Sequence, residues 1–252
     1  MILEQFHLNE KVAVVTGGTK GLGKAIAIAL AEAGADIVVV SRNADKRIED
    51  DILSLGRRYF HHRADLTKRD QTRMVIPVVV EKMGGIDILV NNSGIIRKAP
   101  LVEYSEEDWD TVLEIDLTAV FVLSQTAGRI MLQKGKGKII NIASTVAFQG
   151  AMNVAGYVAA KHGVAGLTKA LANEWASGGV NVNAIAPSFF VTGFTEAIHK
   201  DPERFKSIAA RTPAGRWGNP ADIVGAVVFL ASSASDFLHG VILPVDGGWM
   251  VG

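Results

Sequence analysis

Three residues in the middle of the chain have the types and the spacing of an acid/base site. Tyr157 and Lys161 are four residues apart, so both side chains lie on one face of a predicted helix. Ser144 precedes Tyr157 and follows a predicted strand. Because a free tyrosine titrates at about pH 10, it needs a nearby cation to exchange protons near neutrality. The pattern predicts that Tyr157 transfers a proton, that Lys161 assists it, and that Ser144 holds a substrate oxygen.

A glycine-rich turn near the start of the chain gives a second functional signal. The segment from Thr16 to Gly23 lies between a β-branched run and a helical pattern, and its glycines are spaced G-x-x-x-G-x-G. Glycines in such a turn let the backbone approach a pyrophosphate, whose charge is bound by amide groups at the helix start. We therefore expect a dinucleotide here and hydride transfer as the reaction. The predicted contacts in the turn are Gly17, Thr19, Lys20, Gly21, Leu22 and Gly23.

The residues that follow the second predicted strand indicate which dinucleotide binds. NAD sites of this type usually place an acidic residue there, which holds the ribose hydroxyls. This chain has Ser41 and Arg42 instead. An acid would repel a 2′-phosphate, whereas Arg42 and Lys20 can form charge-assisted hydrogen bonds with it. The sequence favours NADP over NAD, although Arg42 could also be an ordinary solvated residue at a strand end.

Strands and helices that alternate along the whole chain must position these residues. Strands that are apolar on both sides and separated by helices pair in parallel, with helices covering both faces of the sheet. No repeat or flexible linker divides the chain, so we predict one α/β domain over residues 1–252, a doubly wound parallel sheet with a substrate loop around residues 189–213. The predicted strands are Lys11 to Val15, Asp36 to Val40, Tyr59 to Ala64, Ile86 to Val90, Lys138 to Ile142, Val180 to Ile185 and Val241 to Val245. The predicted helices are Gly21 to Ala33, Glu106 to Leu132, Tyr157 to Ala176 and Pro220 to Ser232.

The composition argues against several other classes of protein. The 252 residues carry 26 basic and 26 acidic side chains, a balance that disfavours a dedicated binder of nucleic acid or of an anionic membrane. There is no cysteine, and the adjacent His61 and His62 point to opposite faces of a strand, so we expect no metal site. The first residues lack a signal peptide, and polar residues interrupt the uncharged runs at 139–160 and 175–195. We expect a cytoplasmic protein with a small-molecule substrate.

At this point the chain resembles the short-chain dehydrogenase/reductase family over essentially its full length. The matching motifs are Thr16 to Gly23, Asp65-Leu66, Asn91-Asn92-Ser93-Gly94, Ser144 with Tyr157 and Lys161, Pro187 with Thr192, and Val245-Asp246-Gly247-Gly248. The resemblance implies a Rossmann-type sheet of about seven strands and NAD(P) chemistry with Tyr157 as the acid/base. It further implies that Asp65 and Leu66 flank the adenine, Asn92 and Gly94 border the adenine-side ribose, and Pro187 and Thr192 lie beside the nicotinamide. Family members are usually tetramers, paired through the two long predicted helices.

Within the family the chain is most similar to the branch that acts on sugar acids such as 2-dehydro-3-deoxy-gluconate or gluconate. The segments that carry this similarity include Ile96-Arg97-Lys98, Ala147-Phe148-Gln149-Gly150 and Pro213 to Gly218. A sugar acid needs a cation for its carboxylate, and Arg97 follows a segment that opens toward the expected crevice. The resemblance thus implies substrate contacts from Arg97 and Gln149 besides Ser144 and Tyr157. Two alternatives stay open: a reductase of 3-oxoacyl-type or other small ketones, and a dinucleotide-binding protein without catalytic activity.

The chain departs from the family pattern at positions close to the expected chemistry. The family's fourth catalytic residue is an asparagine in the long helix before Ser144, and here Asp116 stands in its place. An aspartate puts a new charge near Lys161, which can alter the ionisation of the tyrosine. Ser188 follows Pro187 where glycine is usual, and Ser93 replaces the usual alanine before Gly94. Both changes can crowd the nicotinamide pocket.

Overall fold

A seven-stranded parallel sheet forms the centre of the molecule in the computed structural model, which describes all residues from Met1 to Gly252. The strand order is β3-β2-β1-β4-β5-β6-β7, and every neighbouring pair is parallel. The predicted doubly wound fold is therefore confirmed. The strands are β1 (Val12–Thr16), β2 (Asp36–Ser41), β3 (Tyr59–Arg63), β4 (Ile88–Asn91), β5 (Gly137–Ile142), β6 (Val180–Pro187) and β7 (Ile242–Val245).

Nine α-helices lie on the two faces of this sheet and at its edge. They are α1 (Gly21–Glu32), α2 (Lys46–Ser54), α3 (Arg69–Met83), α4 (Glu106–Leu113), α5 (Ala119–Lys134), α6 (Ala155–Trp175), α7 (Glu196–His199), α8 (Pro202–Arg211) and α9 (Ala221–Ala231). Successive strand residues point to opposite faces. Ala13 and Val15 accordingly pack against α1, α2 and α9, whereas Val12 and Val14 pack against α3, α5 and α6. Each face thus has its own apolar core.

Helices α2 and α3 were not predicted from the sequence, for a different reason in each case. Only Ile48 and Ile52 of α2 are buried, so the apolar stripe is too narrow to stand out. Asp45 caps this helix by accepting a hydrogen bond from Arg47 N. Helix α3 contains Pro77, which interrupts the helical signal, although Val75 and Val79 are buried against the sheet.

The long helix predicted before Ser144 is two helices joined by one irregular turn. Between α4 and α5, residues Glu114–Thr118 form a π-helical turn, in which Ala119 N donates to Glu114 O. By length and composition the continuous stretch Glu106–Lys134 could cross a membrane, but over half of its most apolar window is buried inside the fold. A core helix of this kind passes the same test. Single-turn π segments are frequent at functional sites, and this one lies next to the candidate site.

The strand order places a crevice where the predicted site residues end. Chain connections run outward in opposite directions from β1 and β4, which are neighbours in the sheet. Ligands bind in such sheets beyond the carboxyl ends of the strands at this point of reversal. The segments that follow β1, β4, β5 and β6 therefore border one cleft. The 189–213 segment, expected as a loop, contains the short helices α7 and α8.

Candidate active site

Helix α6 and the end of β5 bring Tyr157, Lys161 and Ser144 together. Lys161 is 4% exposed, and its Nζ donates to Ile142 O at 2.9 Å, at the last residue of β5. The same Nζ lies 5.4 Å from the centre of the Tyr157 ring. Ser144 Oγ accepts from Val146 N at 3.3 Å and lies 3.5 Å from Pro187 O, at the end of β6. The convergence predicted from spacing alone is present in the structure.

Asp116 reaches this group from the π-helical turn. Its side chain is fully buried, and Oδ1 accepts from Ile95 N at 2.8 Å. Its other oxygen, Oδ2, lies 3.2 Å from Lys161 Nζ. A side chain on Gly94 would meet this carboxylate, since an added Cβ would lie 2.7 Å from Oδ2. Gly94 and Asp116 are therefore fitted to each other, a contact that the sequence did not indicate.

Burial and charge act in opposite directions on the three ionisable groups. Burial raises the pKa of Tyr157 and Asp116 adds to this rise, whereas Lys161 and the Ser144 hydroxyl oppose it. For Lys161, burial lowers the pKa, but Asp116 and Tyr157 together outweigh this and the pKa is raised. Burial likewise raises the pKa of Asp116 against the opposing effect of Lys161. The cation next to Tyr157 is thus present but paired with an anion.

The glycine-rich turn has the backbone geometry that a pyrophosphate site needs. Gly17 has φ +66° and Gly21 has φ +55°, values that favour glycine. Gly23 begins α1 so close to the turn that a Cβ would lie 2.3 Å from Gly17 O. Asn92 joins the turn to the end of β4, because its Nδ2 donates to Thr16 O at 2.8 Å. The turn is consequently held in one shape from two sides.

The start of α1 leaves amide groups free for an anion. Its N-cap residue, Lys20, makes no side-chain capping bond, so no side chain of the N-cap satisfies the first amides of the helix. Lys20 itself is exposed, while Thr19 and Leu22 are half-buried. Thr192 lies directly over this point, since an added Cβ on Gly21 would be 3.5 Å from Thr192 Cβ. A pyrophosphate placed here would meet the helix dipole and be covered by the 189–213 segment.

The ends of β2 and β3 form the opposite end of the candidate cofactor site. Arg42 is exposed, and its charge helps to lower the pKa of Asp65, after the larger effect of the Thr67 amide. Leu66 is buried next to Asp65. Ser41 Oγ donates to Asn43 O at 2.8 Å and lies 2.9 Å from His61 Nε2. The sequence analysis did not assign His61 to this site, because a contact between neighbouring strands leaves no local signal.

The predicted substrate contacts are less closely grouped than the acid/base residues. Arg97 forms an ion pair with Asp108 at 3.0 Å, and both side chains are more than 40% exposed. Gln149 is half-buried after the 3-10 turn that follows Ser144. Phe194 lies over Tyr157, with 6.0 Å between the ring centres, and is itself 49% exposed. Phe194 was missed because nothing around it in the sequence distinguishes it from a surface residue.

An aromatic cluster fixes the 189–213 segment to the end of the chain. Phe189 packs edge-on against Trp217 and Trp249, with ring centres 5.4 Å and 4.9 Å apart. Phe205 of α8 stacks on Trp217 at 5.1 Å, and the guanidinium of Arg211 lies 3.9 Å from the Trp249 ring centre. Trp217 and Trp249 lie outside the 189–213 segment, so these aromatic and cation–π contacts hold the segment in place. Pro187 and Thr192, at its start, lie beside Ser144 and Gly21 respectively.

The sheet order, the glycine turn and the Ser-Tyr-Lys group together define a class of nicotinamide-dependent oxidoreductase. The sequence model described as enoyl-(acyl carrier protein) reductase matches residues 17–250. The chain belongs to the short-chain dehydrogenase/reductase family, which confirms the resemblance and the predicted enzyme class, an NAD(P)-dependent dehydrogenase/reductase.

Individual relatives have more specific activities than the family as a whole. The chain is 47% identical over 251 residues to the 2-dehydro-3-deoxy-D-gluconate 5-dehydrogenase of Escherichia coli K12, covering 99% of each protein. It is 41% identical to a 3-oxoacyl-[acyl-carrier-protein] reductase of Vibrio cholerae, covering 96% of this chain and 98% of that protein. A gluconate 5-dehydrogenase from Burkholderia cenocepacia, solved in complex with NADP and tartrate, is 38% identical with a TM-score of 0.92 and covers 100% of both chains.

Proposed function

We propose that the protein is an NADP-dependent oxidoreductase that interconverts a secondary alcohol and a ketone on a sugar acid, such as 2-dehydro-3-deoxy-gluconate or gluconate. The observation that carries the proposal is the meeting of Ser144, Tyr157 and Lys161 at the strand ends, next to a turn built for a pyrophosphate. The sugar-acid dehydrogenases that align with this chain over nearly its whole length support the substrate class.

The residues of the site can complete a hydride transfer. A bound nicotinamide supplies or accepts the hydride at the substrate carbon. In reduction, the Tyr157 hydroxyl gives its proton to the substrate oxygen as negative charge develops there. Ser144 donates a hydrogen bond to the same oxygen and so fixes the distance over which the proton moves. Lys161 stabilises the phenolate that remains, and in oxidation the same steps run in reverse.

The charges of the residues that follow β2 support NADP as the cofactor. Arg42, which follows the last residue of β2, and Lys20, the N-cap residue of α1, are exposed cations that could bind a 2′-phosphate. No acidic residue follows that strand until Asp45, whose carboxylate is engaged as the cap of α2. Asp65, Leu66, Asn92 and Gly94 are proposed to contact the adenosine part of the cofactor. Relatives of known structure contain NADP.

The substrate side is proposed to use the exposed cation and the amide near Ser144. Arg97 can exchange its surface ion pair with Asp108 for a substrate carboxylate, since both partners are well exposed and the pair is weak. Gln149 supplies an amide for hydroxyl groups. The 189–213 segment borders the same cleft, with Thr192 over the phosphate turn and Phe194 over Tyr157.

The test is turnover with a panel of keto sugar acids, measured as NADPH and NADH absorbance at neutral pH. We expect NADPH-dependent reduction of at least one sugar acid, and expect Tyr157→Phe to lose at least about a hundredfold in kcat, the lower end of a general acid's contribution, while binding NADPH normally. Tyr59→Phe is the matched control, because the Tyr59 hydroxyl is buried in β3 without a partner and lies outside the cleft. Full activity in Tyr157→Phe would contradict the assignment.

A reductase of 3-oxoacyl thioesters is the second candidate. The 41% identity to a 3-oxoacyl-[acyl-carrier-protein] reductase favours it, and the same Ser-Tyr-Lys chemistry would serve. A 3-oxoacyl thioester in the substrate panel separates the two, since a preference for the thioester over every sugar acid would replace the first proposal. A dinucleotide-binding protein without catalytic activity would turn over neither class, but the intact Ser144, Tyr157 and Lys161 argue against it.

We also propose a single domain over residues 1–252 that assembles as a homotetramer in the cytoplasm. Apolar side chains remain exposed along and before the helices α4 and α5, among them Leu101, Val102 and Phe121. Burying such a surface against a second copy would remove it from water. Light scattering gives the assembly size, and one cooperative unfolding transition would support a single domain.

A further inference from the structure

Lys161 has one ion-pair partner, and that partner belongs to the irregular turn between α4 and α5. Asp116 Oδ2 and Lys161 Nζ are 3.2 Å apart, with the two side chains 0% and 5% exposed. The π-helical turn Glu114–Thr118 directs Asp116 inward, where Ile95 N holds the other carboxylate oxygen at 2.8 Å. Oδ2 has no other hydrogen-bond partner. The carboxylate is therefore built around the ammonium group.

We propose that Asp116 is a positioning residue that stays ionised, neutralises the Lys161 ammonium, and so keeps the Tyr157 hydroxyl protonated to a higher pH than Lys161 alone would allow. This inference rests on the proposed role of Tyr157 in proton transfer. Near neutrality the resting site then holds the proton that ketone reduction uses, whereas alcohol oxidation must start from the phenolate.

The charges of Asp116 and Lys161 depend on each other. A lone ammonium or carboxylate in this position would be expensive to bury, but each has the opposite charge within contact distance. The Ile95 amide donates to Oδ1 of Asp116, which works to lower the pKa of this carboxyl and so favours its ionised form. At Tyr157 the Asp116 carboxylate offsets part of the stabilisation that Lys161 gives to the phenolate. Burial then sets its behaviour, in agreement with the raised pKa of Tyr157.

Other charged groups near the site do not replace this pair. Tyr104, before α4, has its hydroxyl 3.4 Å from Arg97 O, and its pKa is raised by burial and by Asp108. Arg97 and Asp108 pair with each other at the surface, so their charges nearly cancel at Tyr157. On α6 itself, His162 is exposed and bonds to Val158 O of its own helix. Asp116 and Lys161 are thus the charges that govern Tyr157.

The experiment is an ultraviolet titration of tyrosine ionisation in the protein without cofactor, in which the Tyr157→Phe trace is subtracted to isolate Tyr157. We expect the Tyr157 step of the wild type above pH 10, and a fall of about one pH unit or more in Asp116→Asn, since one nearby charge shifts a pKa by about 1–3 units. One unit corresponds to a tenfold larger phenolate fraction at a given pH. Asp110→Asn is the control, because it removes an exposed carboxylate from α4, the helix that precedes the π-helical turn of Asp116.

Activity provides an independent second measurement. For ketone reduction, the pH at which kcat falls on the basic side should move down with the titration step in Asp116→Asn and stay unchanged in Asp110→Asn. Equal Tyr157 steps in wild type and Asp116→Asn would overturn the inference. If Asp116→Asn does not fold, Asp116→Ala takes its place, and a Tyr157 step equal to that of the wild type overturns the inference. A shifted step without turnover on any ketone would contradict the proposed function but leave the role of Asp116 intact.

Discussion

Replacing Gly23 by alanine should damage the phosphate turn by a predictable amount. An added Cβ would lie 2.3 Å from Gly17 O and 2.5 Å from Asn92 Nδ2, against an ordinary contact distance of 3.4 Å or more. The turn must therefore open by about 1 Å. Overpacking of this kind costs about 1–3 kcal/mol. The usual gain from replacing a helical glycine by alanine, about 0.5–1 kcal/mol, offsets only part of it.

Gly225 offers a matched control for this substitution. It also lies within a helix, α9, but a Cβ there would meet nothing within 4 Å. Gly225→Ala should show only the stability gained when alanine replaces a helical glycine. The free energies of unfolding of the two variants should therefore differ by about 1–3 kcal/mol, the cost of overpacking. Urea unfolding monitored by circular dichroism measures this difference.

The same displacement should weaken cofactor binding, because the Gly17 carbonyl and the neighbouring amides move together. Losing one hydrogen bond to a charged group costs about 1.5–3 kcal/mol, which is at least about tenfold in the NADPH dissociation constant. Fluorescence titration of NADPH gives the value for each variant. If Gly23→Ala and Gly225→Ala have the same stability and the same NADPH affinity, close packing is not the reason that position 23 requires glycine.

Two further predictions concern charged residues at the surface. Arg42→Ala should weaken NADPH binding by about 1–3 kcal/mol and leave NADH nearly unchanged, since only NADPH carries the 2′-phosphate; Arg73→Ala, an exposed arginine of α3, is the control, and an unchanged NADPH/NADH ratio would remove Arg42 from the site. Arg216 and the Asn219 amide lower the pKa of Asp222 to about 2, so this carboxylate stabilises the fold above about pH 4 and loses that effect as the pH falls toward 2. Urea unfolding at several pH values should show Asp222→Asn less stable than wild type at pH 6 and nearly equal to it near pH 2, whereas a constant difference would contradict the pairing.

Several parts of the site were accessible from the sequence because their signals are local. Four-residue spacing places Tyr157 and Lys161 on one helical face whatever surrounds them. The glycines of the turn and the apolar strands before and after it report a strand-turn-helix unit in the same way. The position of Ser144 was informative as well, because it follows a strand and the carboxyl ends of parallel strands share one edge of the sheet.

Other features were set by contacts between segments far apart in the chain. The π-helical turn that directs Asp116 inward is invisible in a continuous helical pattern, and no local signal shows that Gly94 must be small to admit the carboxylate. Ser41 meets His61 only because β2 and β3 are neighbours. Helices α7 and α8 were missed because they are held by aromatic contacts with Trp217 and Trp249 rather than by their own periodicity.

By itself, the sequence determined the alternation of strands and helices, the glycine turn and the identity of the acid/base residues, since each depends on neighbours within one or two helical turns. Only the tertiary structure decided the electrostatic balance of the site. The family pattern suggested that Asp116 stands near Lys161, and the fold brings the two buried side chains to 3.2 Å from each other. Burial removes the water that would screen these charges, so the behaviour of Tyr157 depends on a contact that forms only when β5, α6 and the π-helical turn come together.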